Sequence, residues 1–196
     1  MQKLILFILL IFGSSSLFAQ YDSPETEVLS KKEQRKLARE YQLAEKKAEE
    51  EKNSKITQYL VQNHRFILEA DYISGRTGRR YIVNSRLNFI ICDSTNAVIQ
   101  LGSPTGIGYN GIGGITIDGR VSKYELKEKQ NKKGLTNYSI TLYVTSSLGV
   151  FDVQIWVSPS GSADATVRGN FAGAVTYSGK LVPLNQSRVY KGMSSP

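Results

Sequence analysis

The chain has 196 residues, a formal net charge of +8 and one cysteine, Cys92. This length is enough for one domain of ordinary size with its own hydrophobic core. A single cysteine excludes an intramolecular disulfide, so core packing has to hold the fold. The sequence lacks the P-loop, His-Glu-x-x-His and Gly-x-Ser-x-Gly patterns, so the enzyme classes that these motifs mark are not indicated.

The first 19 residues have the pattern of a secretory signal peptide. Lys3 provides a positive start, residues 4–12 form an unbroken apolar run, and Ala19 is a small residue just before Gln20. The apolar run is far shorter than the roughly 20 residues that cross a bilayer. We therefore expect cleavage near Ala19/Gln20, export to the periplasm or the extracellular space, and a mature protein that does not span the membrane.

Residues 20–55 are predicted to form a polar leader and a charged helical arm. Ser30 and Glu33 have the spacing of a capping box, which marks a helix start, and good helix formers follow. The apolar positions form a weak stripe of Leu37, Tyr41, Ala44 and Ala48 and a stronger face of Ile56, Tyr59 and Leu60. We expect an exposed helix that the second group attaches to the rest of the protein.

Residues 56–196 are predicted to form a single β-rich domain. From Phe66 onward, apolar and polar residues alternate, which is typical of antiparallel strands with one buried face. Turn residues separate eight such segments, at 66–72, 87–92, 97–101, 115–127, 138–145, 151–158, 163–168 and 174–182. The expected fold is mainly β, an antiparallel sandwich or a partly open barrel of about eight strands, preceded by one charged N-terminal α-helix.

The glycine-rich segment 102–119 contains the dinucleotide-binding pattern Gly106-x-Gly108-x-x-Gly111. That motif requires a helix directly after it, because the helix N-terminus binds the pyrophosphate. Residues 115–117 instead favour a strand, so we expect no nucleotide cofactor, and no other cofactor is indicated. Two interpretations are left open: a bend where backbones approach closely, or a mobile loop over a binding face.

No catalytic or metal-binding residues are predicted. His64 is the only histidine, has no neighbouring His or Cys, and is expected to be solvated or to cap the helix. Cys92 lies in an apolar stretch and is expected to be buried. A glycosidase needs two acids; Asp118 and Asp152 are the least easily explained acids, yet each fits a turn or a strand edge.

Basic clusters and outward aromatic residues are the candidate partner-binding features. Residues 20–55 carry equal numbers of basic and acidic side chains, so the excess positive charge lies in 56–196. Basic surfaces attract nucleic acid, anionic lipid or polyanionic sugar, but export and the lack of interleaved aromatics argue against nucleic acid. The candidates are Tyr143, Trp156, Arg76, Arg79, Arg80, Lys129, Lys132 and Lys133. Alternatively, the charges serve solubility and the two aromatics pack under a loop or a second sheet.

Short motifs along the chain carry a resemblance to a known family. They are Asn88-Phe89-Ile90, residues 99–102, 110–116, Asp118-Gly119, residues 161–165, Tyr177-Ser178-Gly179 and residues 189–192. Together with the signal peptide and charged helix, they resemble the exported family of Bacteroidota known as domain of unknown function 4251, over residues from about 55 to 196. The resemblance implies a small β-rich domain of the cell envelope, without known activity or catalytic residues.

Asp93-Ser94-Thr95 is similar to the short acceptor sequence for O-glycosylation in exported proteins of these bacteria. It lies in an expected turn between two strands. We therefore expect Ser94 to carry a glycan.

Three classes of function are left open. The favoured one is an exported envelope protein that acts as a non-catalytic binding or structural module for an envelope protein, a glycan or an anionic surface. The alternative is a carrier of a small apolar ligand, in a barrel cavity lined by Tyr138, Ile140, Leu142, Phe151, Val153 and Ile155. A hydrolase is third and least favoured, and the oligomeric state is left open.

Overall fold

The computed structural model describes residues 30–102, 110–132, 134–169 and 173–195. The chain divides into two compact units, residues 1–40 and 41–196. The predicted signal peptide and polar leader lie outside the described residues. The elements are α1 (Lys31–Gln62), β1 (Arg65–Ser74), β2 (Arg80–Ile82), β3 (Phe89–Asp93), β4 (Asn96–Leu101), β5 (Ile115–Gln130), β6 (Thr136–Ser146), β7 (Gly149–Val157), β8 (Ser162–Arg168) and β9 (Val175–Val182). No helix within the described part is long and apolar enough to cross a membrane.

In the first unit, α1 begins with the predicted capping box. The Ser30 backbone N–H donates to Glu33 Oε2 over 2.9 Å, and the Glu33 N–H donates to Ser30 Oγ over 3.3 Å. The two bonds satisfy N–H groups that have no partner within the helix. Hydrogen bonding from the Ser30 side chain and from the Ser30 backbone N–H holds the pKa of the Glu33 carboxyl below its usual value, because both interactions favour the carboxylate.

The second unit contains an eight-stranded antiparallel barrel. Strands β3 to β9 each pair with the next one, and β1 pairs with both β3 and β9, which closes the sheet. Closure leaves no free edge along these eight strands. The mainly β prediction is confirmed, and its eight strands are those of the barrel. The short β2, which pairs with β1 beside β3, is additional; its three residues are all exposed and show no alternation.

The barrel interior is a packed hydrophobic core. Its largest fully buried apolar side chains include Tyr138, Phe66, Phe151, Leu68, Ile90, Ile140 and Leu142. All six residues that the carrier hypothesis places around a cavity belong to this core. Cys92 is also buried there, as predicted, and burial raises the pKa of its thiol to about 12. The thiol therefore stays protonated and unreactive at neutral pH.

The last turns of α1 pack against the core through Thr57, Leu60 and Val61, which lie on one face of the helix. The predicted attachment is correct for Leu60 and wrong for Ile56 and Tyr59, whose side chains are 40% and 66% exposed. The helix continues to Gln62 without a break. The buried face therefore begins at Thr57, one position after Ile56. A pattern of apolar residues alone does not select a threonine for a buried face.

His64 lies two residues after the end of α1; of the two roles expected for it, solvated or capping, the structure shows the capping one. Its φ of 54° is left-handed, and its N–H donates to the Val61 carbonyl over 3.3 Å. This arrangement is typical of a helix C-terminus. The imidazole stacks on the Tyr124 ring of β5, with ring centroids 3.6 Å apart. The histidine thus contributes to the junction between α1 and the barrel wall.

Candidate functional site

The outer face of β5–β9 carries one exposed tryptophan among short polar side chains. The strand register places Trp156 of β7 between Ser139 of β6 and Asp164 of β8. One strand farther on each side lie Lys127 of β5, beside Ser139, and Ser178 of β9, beside Asp164. With such short neighbours on both adjacent strands, the indole stays 65% exposed.

A groove of about 1000 Å³ runs along this face, and we call it the Trp156 groove. Lys129 and Lys132 line it where the β5–β6 hairpin extends beyond β4, and Asp164 lines it on β8. Thr141 and Gln154, which face each other on β6 and β7, also line it. The structure therefore brings three of the predicted binding residues together, Trp156, Lys129 and Lys132. Lys133 lies outside the described residues.

The charges of the Trp156 groove are unevenly paired. Asp164 accepts a hydrogen bond of 2.5 Å from the Ser178 hydroxyl, and Glu128 accepts one of 3.4 Å from the Gln62 amide. In contrast, no salt bridge between described residues includes Lys129 or Lys132. The hairpin end of the groove is consequently its positive end.

Tyr143 lies outside the Trp156 groove. It is half-buried on the outer face of β6, next to Lys123 of β5. The Lys123 ammonium lies 5.8 Å from the centroid of the Tyr143 ring and also pairs with Glu125 over 2.6 Å. The predicted pair of Tyr143 and Trp156 therefore does not form one aromatic platform.

The arginine cluster lies at the β1–β2 connection. Arg76 and Arg79 are exposed there, and the Arg80 guanidinium sits 4.8 Å from the centroid of the Tyr72 ring. Arg80 lines a second groove of about 270 Å³ whose lining includes Asp164. Since Asp164 also lines the Trp156 groove, the two depressions adjoin.

The glycine-rich segment is a site of close backbone approach, one of the two interpretations left open by the sequence. A Cβ on Gly114 would lie 1.8 Å from the Leu101 carbonyl oxygen. Gly111 and Gly113 both have left-handed φ values, of 74° and 79°. Residues 103–109, with most of the dinucleotide-binding pattern, lie outside the described residues.

Gln100 joins this segment to the C-terminal segment, a role that the sequence analysis missed. The side chain is fully buried, and its Nε2 donates to the carbonyls of Leu87 (3.1 Å) and Tyr190 (2.8 Å). Its Oε1 accepts hydrogen bonds from the Thr116 hydroxyl (3.0 Å) and the Gly192 N–H (2.8 Å). Several motifs that carry the family resemblance thus have a structural role in holding the C-terminal segment.

The two acids considered for hydrolysis are held apart. Asp118 of β5 accepts hydrogen bonds from Lys191 and Ser194 of the C-terminal segment. Asp152 belongs to β7, and β6 lies between the two strands. Among the described residues, Asp152 Oδ1 is the one buried side-chain oxygen or nitrogen that has no hydrogen-bond partner. The described residues also contain no group of three His, Cys, Asp or Glu side chains placed to bind a metal.

Ser94 is exposed in the β3–β4 turn, with a left-handed φ of 55°. Its N–H donates to the His64 carbonyl over 2.9 Å. The turn is therefore held by its backbone, and glycosylation of the hydroxyl stays a prediction.

A small apolar cavity of about 150 Å³ lies within the barrel. Its walls come from the ends of β4 and β8 and the beginnings of β5 and β9: Ile99, Leu101, Ile115, Ile117, Val167, Val175 and Tyr177. None of the six residues proposed from the sequence lines it. Burial raises the pKa of Tyr177, so the cavity has no charged wall at neutral pH.

Comparisons with known proteins support the family resemblance. A family model described as "Domain of unknown function (DUF4251)" matches residues 47–181, from within α1 to the end of β9. Among solved structures, a DUF4251 family protein from Bacteroides eggerthii is 29% identical, with a TM-score of 0.53 over 70% of this chain and 91% of that one. Curated proteins provide no significant match. The match of the family model over most of the chain shows that this protein belongs to the DUF4251 family.

Proposed function

We propose that this protein is an exported envelope protein without catalytic activity, which binds a partner through the Trp156 groove. The observation that carries the proposal is the 65% exposed indole of Trp156 in a groove of about 1000 Å³. Exposed apolar area is unfavourable in water, at about 25 cal/mol per Å². A partner that covers the indole removes this cost, and tryptophan is enriched among the residues that dominate binding energy.

Export is proposed from the pattern of residues 1–19. The charge pattern is consistent with an envelope partner, since the positive excess lies in residues 56–196. Positive surface raises the local concentration of anionic partners and speeds their association. The non-catalytic role is proposed because Asp118 is engaged by Lys191 and Ser194 of the C-terminal segment and β6 separates it from Asp152, so the two acids considered for hydrolysis are not placed as a pair.

The fluorescence of Trp156 tests this proposal directly, because it is the only tryptophan in the chain. In the free protein we expect the emission of a water-exposed indole. Addition of fractionated envelope material should shift the emission to shorter wavelength, and Trp156→Ala should abolish co-purification of the same component. The control Tyr81→Ala, at an exposed residue of β2 outside the groove, should retain it. Unchanged emission together with full retention by Trp156→Ala would contradict the proposal.

A second candidate function, the apolar carrier, is favoured by the 150 Å³ cavity. Pockets for drug-sized ligands measure about 300–1,000 Å³, whereas a dry cavity of about 150 Å³ accommodates benzene or xenon. Any cargo would thus be no larger than one aromatic ring. Titration with benzene should raise the melting temperature, and Ile117→Phe, which fills the cavity, should remove that rise. No rise in melting temperature would reject the carrier.

A further inference from the structure

We infer that the ligand of the Trp156 groove is an acidic glycan, a chain of sugar rings that carry carboxylate groups. This inference rests on the proposed function of the same groove. Three features of the site support it: the flat apolar surface of the Trp156 indole, the short polar side chains around it, and the lysines at one end.

The exposed surface of the Trp156 indole fits a sugar ring better than it fits a cluster of side chains from a protein partner. Trp156 has Ser139 and Asp164 as its neighbours across the sheet, so the indole is an isolated apolar surface within a polar face. Protein–protein interfaces bury about 800 Å² on each partner and have apolar centres, with Lys, Asp and Ser depleted. A pyranose ring instead presents a small apolar face of C–H groups bordered by hydroxyls, which matches one indole bordered by polar side chains.

The polar side chains around Trp156 provide hydrogen-bond partners for sugar hydroxyls. Gln154 of β7 lies opposite Thr141 of β6 and Thr166 of β8, and Asp164 lies beside Trp156. Amide, hydroxyl and carboxylate groups together offer both donors and acceptors, and a sugar hydroxyl is itself both. Strands of a closed barrel hold these groups at fixed spacing, which reduces the entropy lost on binding.

The lysines select for negative charge. Lys127 lies in the cross-strand row of Trp156, through Ser139, and Lys129 lies opposite Asn137 two positions along β5. Lys132 lines the same end of the groove. No salt bridge between described residues includes these three ammonium groups. With Glu128 and Asp164 also in the lining, three basic and two acidic side chains leave the groove with a net charge of +1, which a carboxylate on the ligand would balance. Neutral sugars would leave this charge unbalanced.

The test is calorimetric titration of the full chain, produced with its own leader, with two probes of equal length. Hexagalacturonate carries six carboxylates, and maltohexaose carries none. We expect binding of hexagalacturonate only. Trp156→Ala should weaken it at least tenfold, and the double variant Lys129→Ala/Lys132→Ala should weaken it about fivefold in dilute buffer. The effect of the double lysine variant should vanish at about 0.5 M salt, because salt screens the attraction between exposed charges.

Matched controls separate the groove from overall charge and aromatic content. Lys31→Ala/Lys32→Ala removes the same charge from the exposed start of α1, and Tyr81→Ala removes an exposed aromatic from β2. Both should bind hexagalacturonate as the parent protein does. Equal weakening by the two lysine pairs would overturn the inference, since it would indicate attraction by net charge alone.

The remaining outcomes distinguish the inference from the proposed function. Binding of maltohexaose with dependence on Trp156 would overturn the acidic ligand class and retain the binding module. If neither probe binds but Trp156→Ala no longer co-purifies with an envelope component, the glycan inference would be overturned and the proposed binding function would be retained. No binding of either probe and no loss of an envelope component would overturn both.

Discussion

The Tyr124 hydroxyl donates a hydrogen bond to the Val61 carbonyl over 2.6 Å, which joins the barrel wall to the last turn of α1. The same tyrosine ring stacks on His64, the residue that caps the helix. Val61 is fully buried, and the Tyr124 hydroxyl keeps its proton because burial raises its pKa. One residue of β5 therefore holds both the polar and the aromatic contact at this junction.

We expect Tyr124→Phe to lower the free energy of unfolding by about 1–2 kcal/mol, because it removes the hydrogen bond and keeps the ring stack. Urea denaturation measures the change. Tyr81→Phe, at an exposed residue, is the control and should change stability by less than about 0.5 kcal/mol. Equal effects of the two variants would contradict the role assigned to Tyr124.

We expect stability to fall as the pH rises above about 9. Burial raises the pKa of Cys92 from 9.0 to about 12, so the unfolded chain loses the thiol proton before the folded protein does. The unfolded state then binds fewer protons, and stability decreases from pH 9 toward pH 12. Urea denaturation between pH 7.5 and pH 10 should show a shallower decrease for Cys92→Ala than for the parent. Parallel curves would contradict this assignment.

Gly114→Ala should lower the free energy of unfolding by at least about 2 kcal/mol, since the added Cβ would overlap the Leu101 carbonyl oxygen and force the two backbones apart. Gly75→Ala is the matched control, because a Cβ there meets nothing within 4 Å. Thermal denaturation of both variants decides the question. Similar melting temperatures would show that the close approach is easily relieved.

Gln100→Ala should loosen the C-terminal segment, because it removes four hydrogen bonds that include the contacts to Tyr190 and Gly192. We expect a loss of about 2–4 kcal/mol, given that backbone groups near a buried side chain lose their partners. Limited proteolysis should then cleave within residues 183–195. The exposed Gln186→Ala should leave the cleavage pattern unchanged, and resistance of Gln100→Ala to protease would contradict the prediction.

Trp156→Ala and Ile155→Ala should differ strongly in stability, although the two residues are adjacent. Ile155 points into the core and is 1% exposed, so its truncation should cost about 2–5 kcal/mol. Trp156 points outward, and its truncation should cost less than about 1 kcal/mol. Chemical denaturation of the two variants is the measurement. A large loss in Trp156→Ala would show that the indole packs against the fold and does not serve a partner.

The strands were predictable because their signal is local. Alternation along residues 151–157 places Phe151, Val153 and Ile155 inward and Trp156 outward, and all four orientations are confirmed. The capping box at Ser30 and the burial of Cys92 are local in the same sense. In contrast, β2 is short and exposed on every residue, so no pattern marks it. The sequence wrongly assigned Ile56 and Tyr59 to the face of α1 that packs against the barrel, because the face a helix buries depends on the surface of its neighbour as well as on its own.

The amino-acid sequence by itself determined the helix, the eight strands of the barrel, the inward and outward faces of those strands and the family, since alternation and motifs are properties of neighbouring residues. Only the tertiary structure decided that β1 pairs with β9 and closes the barrel. It also decided that Lys129 and Trp156 line the same groove, which Tyr143 does not line. Likewise, only the structure shows that Gln100 bonds to the Tyr190 carbonyl, 90 positions away along the chain. Such relationships depend on strand register and closure, which arise from pairings between distant segments.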